Sequence, residues 1–188
     1  QIAGLAAVVG RAFRYELLVA ASSHSEDEVV QSVEALWHHR IFEEIGSDAY
    51  DFSHDRLRDV AYAELSRPRR RLLHRRVAEA LLAEQKSGVA ELSGQIAGHF
   101  ERAGLADRAV EHFLAAGDQA LADWSAAQAV TLFERAYDLA SEEDGQALAL
   151  FGRASARLLQ SERQSALVDV AEALALLTDP EHALRPQL

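Results

Sequence analysis

The second half of the chain repeats one spacing of small and large residues. In each copy an alanine is followed four positions later by a large apolar residue, and three positions after that by a second alanine. The copies are Ala109-Phe113-Ala116, Ala129-Phe133-Ala136 and, in weaker form, Ala166-Val170-Ala173. Because residues three and four apart share one face of an α-helix, each copy places a large side chain between two small ones, which lets neighbouring helices approach closely. Residues 91–188 are therefore predicted to form stacked helical hairpins.

The intervals between these copies are uneven. They are 20 and then 37 residues, whereas a regular tetratricopeptide array repeats about every 34 residues. The Ala-x-x-x-Phe spacing resembles part of the tetratricopeptide pattern, and the resemblance implies irregular, tetratricopeptide-like hairpins. Gly104 and Gly117 are predicted at helix ends. Gly145 is predicted to begin the next helix, after the acidic turn 141–144.

The composition excludes several kinds of site. The 188 residues contain no Cys and no Met, which excludes a disulfide, a thiolate metal site and a catalytic cysteine. The formal net charge of −11 disfavours nonspecific binding to nucleic acid. The sequence has neither a His-Glu-x-x-His motif nor a Gly-x-Ser-x-Gly elbow. We therefore expect no metal site and no catalytic activity in these residues.

The chain reads as an internal segment of a longer bacterial protein. It lacks an initiator Met and opens inside an apolar run at residues 2–9. That run is too short to span a membrane and lacks the flanks of a signal peptide, so we expect no membrane contact and a cytoplasmic location. Alanine is abundant, and one Lys stands against 18 Arg, which favours a GC-rich bacterial genome.

Residues 1–66 mix predicted helices with two short strands. Ser25, followed three residues later by Glu28, is a capping box that begins a helix. The apolar face of this helix comprises Val29, Val33, Leu36 and Trp37. Strands are predicted over 40–45 and 49–52, joined by a turn at 46–48. A mainly α fold of helices, a β-hairpin and a further helix in this order resembles a winged-helix domain.

Residues 67–90 are predicted to form a linking helix and a loop. Pro68 stands in the first turn, where its missing N–H group costs nothing. The helix carries a basic run of Arg67, Arg69, Arg70, Arg71 and Arg75. One interpretation is a patch that contacts nucleic acid or another domain of the same protein. The other is a solvated helix surface with local ion pairs, such as Arg75 with Glu79. The arginines do not align on one helix face, which disfavours nucleic acid.

The segment Phe52-Ser53-His54-Asp55 predicts the end of a strand, a helix cap and the first helical turn. Ser53 is predicted to cap the helix, and Asp55 suits its positive N-terminus. His54 is then expected beside backbone N–H groups that have no intrahelical partner, where an anion such as a phosphate binds. The alternative is that His54 has only a structural role and packs its ring under the hairpin.

The same residues resemble a signalling motif. The block Ser53-His54-Asp55, followed by Leu57, Arg58, Asp59 and Ala61, is similar to the Met-His-Asp motif of the STAND signalling ATPases. Ser53 stands where that motif has Met, and bacterial members commonly show the Phe-x-His form. The resemblance extends over about residues 8–140. It implies that His54 contacts the β-phosphate of ADP, with Ser53 and Asp55 beside it.

The nucleotide itself is expected to bind outside this sequence. No Gly-x-x-x-x-Gly-Lys-Ser/Thr loop is present, so these residues alone are expected to hold no cofactor. The resemblance implies an ATPase core elsewhere in the longer protein that binds ADP or ATP with Mg²⁺. That core would be one partner of the segment, and an unidentified signalling protein the other. The implied role is regulatory: the repeats read a signal, and an output such as transcription regulation is switched.

Two alternatives remain open. One is a tetratricopeptide module that binds peptides, in which the helix at 91–102 would present Gln95, His99 and Arg102 to a groove. The other is a winged-helix regulator that binds DNA. The helix before the wing exposes Asp27, Glu28, Gln31, Glu34 and His38. Its acidic groups would be repelled by a phosphate backbone, so nucleic-acid binding is not expected.

Overall fold

The computed structural model describes residues 1–46, 49–85 and 92–177. Over these residues the chain is mainly helical, with one small antiparallel sheet. It divides into two compact units. The N-terminal unit comprises residues 1–89 and 102–104, and the C-terminal unit comprises residues 90–101 and 105–188. The predicted loop at 85–90 lies almost entirely outside the described residues.

The N-terminal unit surrounds its sheet with helices. Its elements are α1 Ile2–Val9, β1 Phe13–Arg14, α2 Tyr15–Ala21, α3 Glu26–His38, β2 Phe42–Ile45, β3 Ala49–Phe52, α4 Asp55–Ala63 and α5 Arg67–Gln85. The strand order is β1-β3-β2, with both pairs antiparallel. The hairpin of β2 and β3 confirms the predicted strands. Strand β1 was not predicted, because two residues are too few to show an alternating pattern.

Three phenylalanines, one from each strand, form the centre of this unit. Phe13, Phe42 and Phe52 are all buried. The ring centroids of Phe42 and Phe52 lie 4.9 Å apart, and those of Phe13 and Phe42 lie 5.1 Å apart, both edge to face. The short strand β1 therefore contributes to the core through Phe13, which anchors it to the hairpin.

Helix α3 begins as predicted but has a narrower apolar face. The Ser25 side chain accepts from the Glu28 N–H, and the Glu28 side chain accepts from the Ser25 N–H, which confirms the capping box. Val29 and Val33 are buried, but Trp37 is 42% exposed. The assignment of Trp37 to the core is wrong, because the last turn of α3 borders a cleft described below.

The C-terminal unit is a stack of helices in which neighbours in sequence pack together. Its helices are α6 Ser93–Ala103, α7 Ala106–Ala122, α8 Ala126–Leu139, α9 Glu143–Leu159 and α10 Arg163–Leu176. Each of α7, α8 and α9 packs against the helix that follows it, and α7 also contacts α9. The alanines and phenylalanines of the repeated pattern are buried, while Val170 is half-buried.

The uneven intervals of the repeat follow from where its copies lie. The first two copies are on the consecutive helices α7 and α8, so their interval is one helix and one turn. The third copy is on α10, two helices after α8, so its interval is a whole hairpin. Gly104 follows α6 with φ 78°, which confirms its prediction as a helix end. Gly117 lies inside α7, and its prediction as a helix end is wrong.

Four described helices end with the same backbone turn. A residue with positive φ follows the helix, and the next N–H group donates to the carbonyl five residues back, as in a Schellman motif. The bonds are Ile41 to Leu36, Leu105 to Phe100, Ser125 to Ala120 and Glu162 to Arg157, at 2.8–3.0 Å. The residues at positive φ are Arg40, Gly104, Trp124 and Ser161. Only one of the four is glycine, the residue that adopts this conformation without strain.

A buried ion pair joins the last two described helices. Asp169 of α10 is 1% exposed and accepts hydrogen bonds from two arginines of α9. Arg153 approaches to 2.7 Å and Arg157 to 2.6 Å. The guanidinium of Arg153 also lies 5.5 Å from the ring centre of Tyr137. The carboxylate is thus compensated by two cations, as a buried charge requires.

Candidate functional site

His54 is the N-cap of α4. Its backbone is extended, with φ −145° and ψ 136°, and its carbonyl accepts from the Leu57 N–H at 2.9 Å. Its side chain makes no capping hydrogen bond and is exposed. The predicted cap at Ser53 is therefore wrong by one residue, and α4 begins at Asp55. The imidazole is exposed at the positive end of a helix.

Ser53 has its hydroxyl engaged elsewhere. The Ser53 Oγ donates to the carbonyl of Arg40 at 2.6 Å, and the Ser53 N–H donates to the carbonyl of Ile41 at 3.0 Å. These bonds tie the end of β3 to the turn that follows α3. Ser53 therefore fixes the position of its neighbour His54 relative to α3, and its hydroxyl already has an acceptor.

Asp55 forms ion pairs with two arginines. Its carboxylate lies 2.5 Å from Arg11 and 3.7 Å from Arg58. Arg11 and Asp55 are both more than half exposed, so their pair contributes little to stability, about 0–1 kcal/mol. Its effect is local, because it links the start of α4 to the segment before β1.

A cleft of about 570 Å³ opens beside His54. It is lined by Trp37, His38, Arg40, Phe42, Glu43, Glu44, Ser53 and His54. The rings of Trp37 and His38 lie 4.9 Å apart. Arg40 brings one positive charge, whereas Glu43 and Glu44 bring two negative ones. The sequence alone did not predict that the end of α3 lies beside His54. The predicted hairpin of β2 and β3 was the one signal for it, because a hairpin returns the chain to the point where it began.

The basic run on α5 does not act as one patch. Arg70 turns inward, where its Nε donates to the Tyr62 carbonyl at 3.2 Å and its Nη2 to the Ala63 carbonyl at 3.0 Å. It thereby caps the end of α4. Arg75 pairs with Glu79 at 3.8 Å, which confirms the predicted ion pair. Arg67 and Arg71 are exposed, and Arg69 is half-buried.

His74 lies inside this run but is buried. Its exposed fraction is 2%, and its Nε2 lies 3.0 Å from the Tyr62 hydroxyl. Burial, followed by the charges of Arg102 and Arg70, lowers the pKa of His74 from 6.5 to about 4. His74 is therefore neutral at physiological pH. The charged residues around it along the chain provide no signal that His74 is buried.

A second cleft, of about 550 Å³, lies within the C-terminal unit. Its lining residues are Ser93, Gly94, Gln95, Ala116, Gln119, Ala120, Asp123, Ser125, Gln128 and Leu132. The sequence predicted that Gln95, His99 and Arg102 of α6 face a groove, and Gln95 does line this cleft. His99 is only 7% exposed, so its assignment to the groove surface is wrong. Arg102 is exposed and is not a lining residue.

The part of the chain that the structure describes shows neither a metal-binding cluster nor a membrane-spanning helix. No group of three or more His, Asp or Glu side chains there is placed to hold a metal ion. None of the helices described combines the length and apolar character needed to cross a membrane.

Comparison with known proteins gives one partial relative. The chain is 35% identical over 99 residues to a protein of Rhizobium meliloti (strain 1021) named "Uncharacterized protein R02095". The match spans 52% of this chain but 9% of that protein, which is therefore far longer than the matched segment. No protein-family model matches the chain, and no solved structure matches it.

Proposed function

We propose that the chain is the regulatory and sensing part of a bacterial, cytoplasmic STAND-type ATPase and is not itself an enzyme. In this proposal the N-terminal unit presents His54 to the nucleotide of an ATPase core. The observation that carries the proposal is the placement of His54. It is exposed, lies at the N-terminus of α4, and borders a cleft that also contains Arg40 and Ser53.

The topology of the N-terminal unit supports a winged helix within this proposal. Three helices, the hairpin of β2 and β3 and then α4 follow one another in the order that resembles a winged-helix domain. The acidic face of α3 and the net charge of −11 argue against DNA as its ligand. An intramolecular partner, the ATPase core, fits better.

The charges of the His54 cleft support a nucleotide that is held mainly by another domain. Arg40 is outnumbered by Glu43 and Glu44 among the lining residues. Such a cleft offers a phosphate one cation and two imidazoles, which is too little for tight binding by these residues. A core with its own phosphate loop and Mg²⁺ would supply the remaining positive charge.

The C-terminal unit supports the role of a sensor. Its helices pack mostly on their sequence neighbours, as in tetratricopeptide-like arrays. The great length of the Rhizobium meliloti protein relative to the matched segment supports such a segment as one part of a larger protein. A peptide-binding module is the second candidate, favoured by the cleft that Gln95 and Asp123 line.

The test compares His54→Ala with His39→Ala in the longer protein. His39 is exposed, is the C-cap of α3, and does not line the cleft, so it controls for loss of an imidazole. We expect His54→Ala to speed the release of a fluorescent ADP and raise basal output, while His39→Ala changes neither. The 188-residue chain alone should bind no ADP in calorimetry at micromolar concentration. Unchanged ADP release in His54→Ala, or micromolar binding by the chain alone, would contradict the proposal.

A further inference from the structure

Trp124 combines two unfavourable features. It is 80% exposed, although indole is one of the largest apolar side chains. Its φ of 58° is in the left-handed region, which costs a residue other than glycine roughly 1–2 kcal/mol. The left-handed φ belongs to the helix-ending turn that four described helices share. The feature that points to recognition is therefore the exposed indole next to a cleft.

Trp124 stands between two residues of the cleft in the C-terminal unit. Asp123 ends α7 and Ser125 precedes α8, and both line the cleft. The Schellman turn fixes this corner, since Trp124 N–H donates to the Leu121 carbonyl and Ser125 N–H to the Ala120 carbonyl. The indole is therefore attached to a rigid backbone at the edge of a cleft of about 550 Å³.

Asp123 is the formally charged residue among those that line this cleft. The Gln119 Nε2 lies 3.1 Å and 3.2 Å from its two oxygens, which orients the carboxylate and leaves lone pairs for another donor. The C-terminal end of α7 adds partial negative charge at the same place, and the N-terminus of α8 adds partial positive charge. The full charge of Asp123 exceeds both, so the corner favours a cation.

We propose that the corner formed by Asp123 and Trp124 binds the guanidinium of an arginine side chain on an extended peptide. A guanidinium donates two parallel hydrogen bonds to a carboxylate and stacks on an indole face, which an ammonium group cannot do together. The side-chain amides of Gln95, Gln119 and Gln128 line the same cleft. Amides donate and accept, so they match the main chain of an extended peptide. The inference rests on the interaction role proposed for the C-terminal unit, not on nucleotide sensing by His54.

The experiment measures binding of two fluorescein-labelled peptides to the 188-residue chain by fluorescence polarisation. One is Gly-Ser-Arg-Ser-Gly-Arg-Ser-Gly, and the other has citrulline, the neutral isostere, in place of both arginines. We expect the arginine peptide to bind at least tenfold more tightly at physiological salt. Asp123→Asn should weaken its binding by at least tenfold, and Asp107→Asn, which makes the same charge change in the first turn of α7, should not.

Trp124→Gly separates recognition from a structural role. Glycine removes the indole but relieves the strain at positive φ. We expect the melting temperature to be unchanged or higher, while binding of the arginine peptide weakens by about threefold or more, as loss of an exposed cation–π contact implies. The proposal is overturned by absent binding, equal binding of both peptides, equal weakening by Asp107→Asn, or unchanged binding by Trp124→Gly. None of these outcomes bears on ADP release, so failure here is distinguishable from failure of the His54 proposal.

Discussion

The ring of Phe133 in α8 occupies the space that a side chain at Gly117 of α7 would need. A β-carbon built at Gly117 would lie 2.6 Å from Cζ of this ring, closer than real β-carbons approach other atoms. The same ring also fills the space beside Gly152 of α9. One aromatic ring from the middle helix thus packs against glycine positions of both neighbours, and its exposed fraction is 1%.

Gly117→Ala should destabilise the chain although alanine is the better helix former. Helix propensity favours the change by about 1 kcal/mol, but displacing a buried ring costs about 1–3 kcal/mol. The control is Gly94→Ala, where the nearest atoms to a new β-carbon are ordinary contacts at 3.9 Å. Thermal unfolding should show a lower melting temperature for the first variant and an equal or higher one for the second. Equal shifts in both variants would contradict the packing argument.

Asp169→Asn should lower the free energy of unfolding by about 3–5 kcal/mol, because it leaves Arg153 and Arg157 without a compensating charge near the core. These arginine side chains are 11% and 22% exposed. Glu79→Gln is the matched control, since it breaks the exposed pair with Arg75 and should cost under about 0.5 kcal/mol. Urea unfolding measures both. A loss as small for Asp169→Asn as for Glu79→Gln would show that burial of the pair is not important.

The stability of the folded chain should decrease as pH is lowered, because of His74. Its pKa is lowered to about 4 in the folded chain by burial and then by Arg102 and Arg70, from an ordinary value of 6.5. Between these values the unfolded chain binds more protons, so stabilisation is complete above pH 6.5 and is lost as pH falls towards 4. The loss is at most about 3 kcal/mol.

The measurement for His74 is urea unfolding at pH 7, 6 and 5, compared with His74→Gln. Glutamine cannot titrate but can still bond to the Tyr62 hydroxyl, so its profile should be flatter over this range. His39→Gln, at an exposed histidine, should keep the profile of the parent chain. Parallel profiles for the parent chain and His74→Gln would rule out His74 as the cause.

Ser161→Gly should stabilise the turn between α9 and α10. Ser161 has a φ of 64° and is exposed, so glycine relieves strain without removing packing. The expected gain is about 1 kcal/mol, seen as a higher melting temperature. Gln164→Gly, at an exposed position inside α10, should instead lower stability by a similar amount. A lower melting temperature for Ser161→Gly would contradict the role assigned to this turn.

The sequence predicted those parts of the fold that depend on strong local signals. The capping box at Ser25, the hairpin around Gly46 and the helix end at Gly104 each depend on residues that have few alternatives. The helix ends marked by Arg40, Trp124 and Ser161 could not be predicted from the sequence, because their positive φ is imposed by the surrounding turn and not by residue type. Gly117 was misassigned for the opposite reason, since its small size serves packing and not backbone freedom.

The candidate sites were only partly accessible to sequence reasoning. His54 could be found, since a cap and a helix start depend on adjacent residues. The meeting of His54 with Arg40 depends on a hairpin that brings together residues 14 positions apart. The burial of His74 and His99 also depends on tertiary packing, which the residue type does not predict.

The bond of Asp169 to Arg153 and Arg157 has a mechanical consequence. If α10 slid along α9 by one turn, about 5.4 Å, the carboxylate would lose one of its two guanidinium partners, because Arg153 and Arg157 are themselves about one turn apart on α9. The buried carboxylate would then have fewer donors than it has now. The ion pair therefore favours the present alignment of α9 and α10 and resists sliding of one helix along the other.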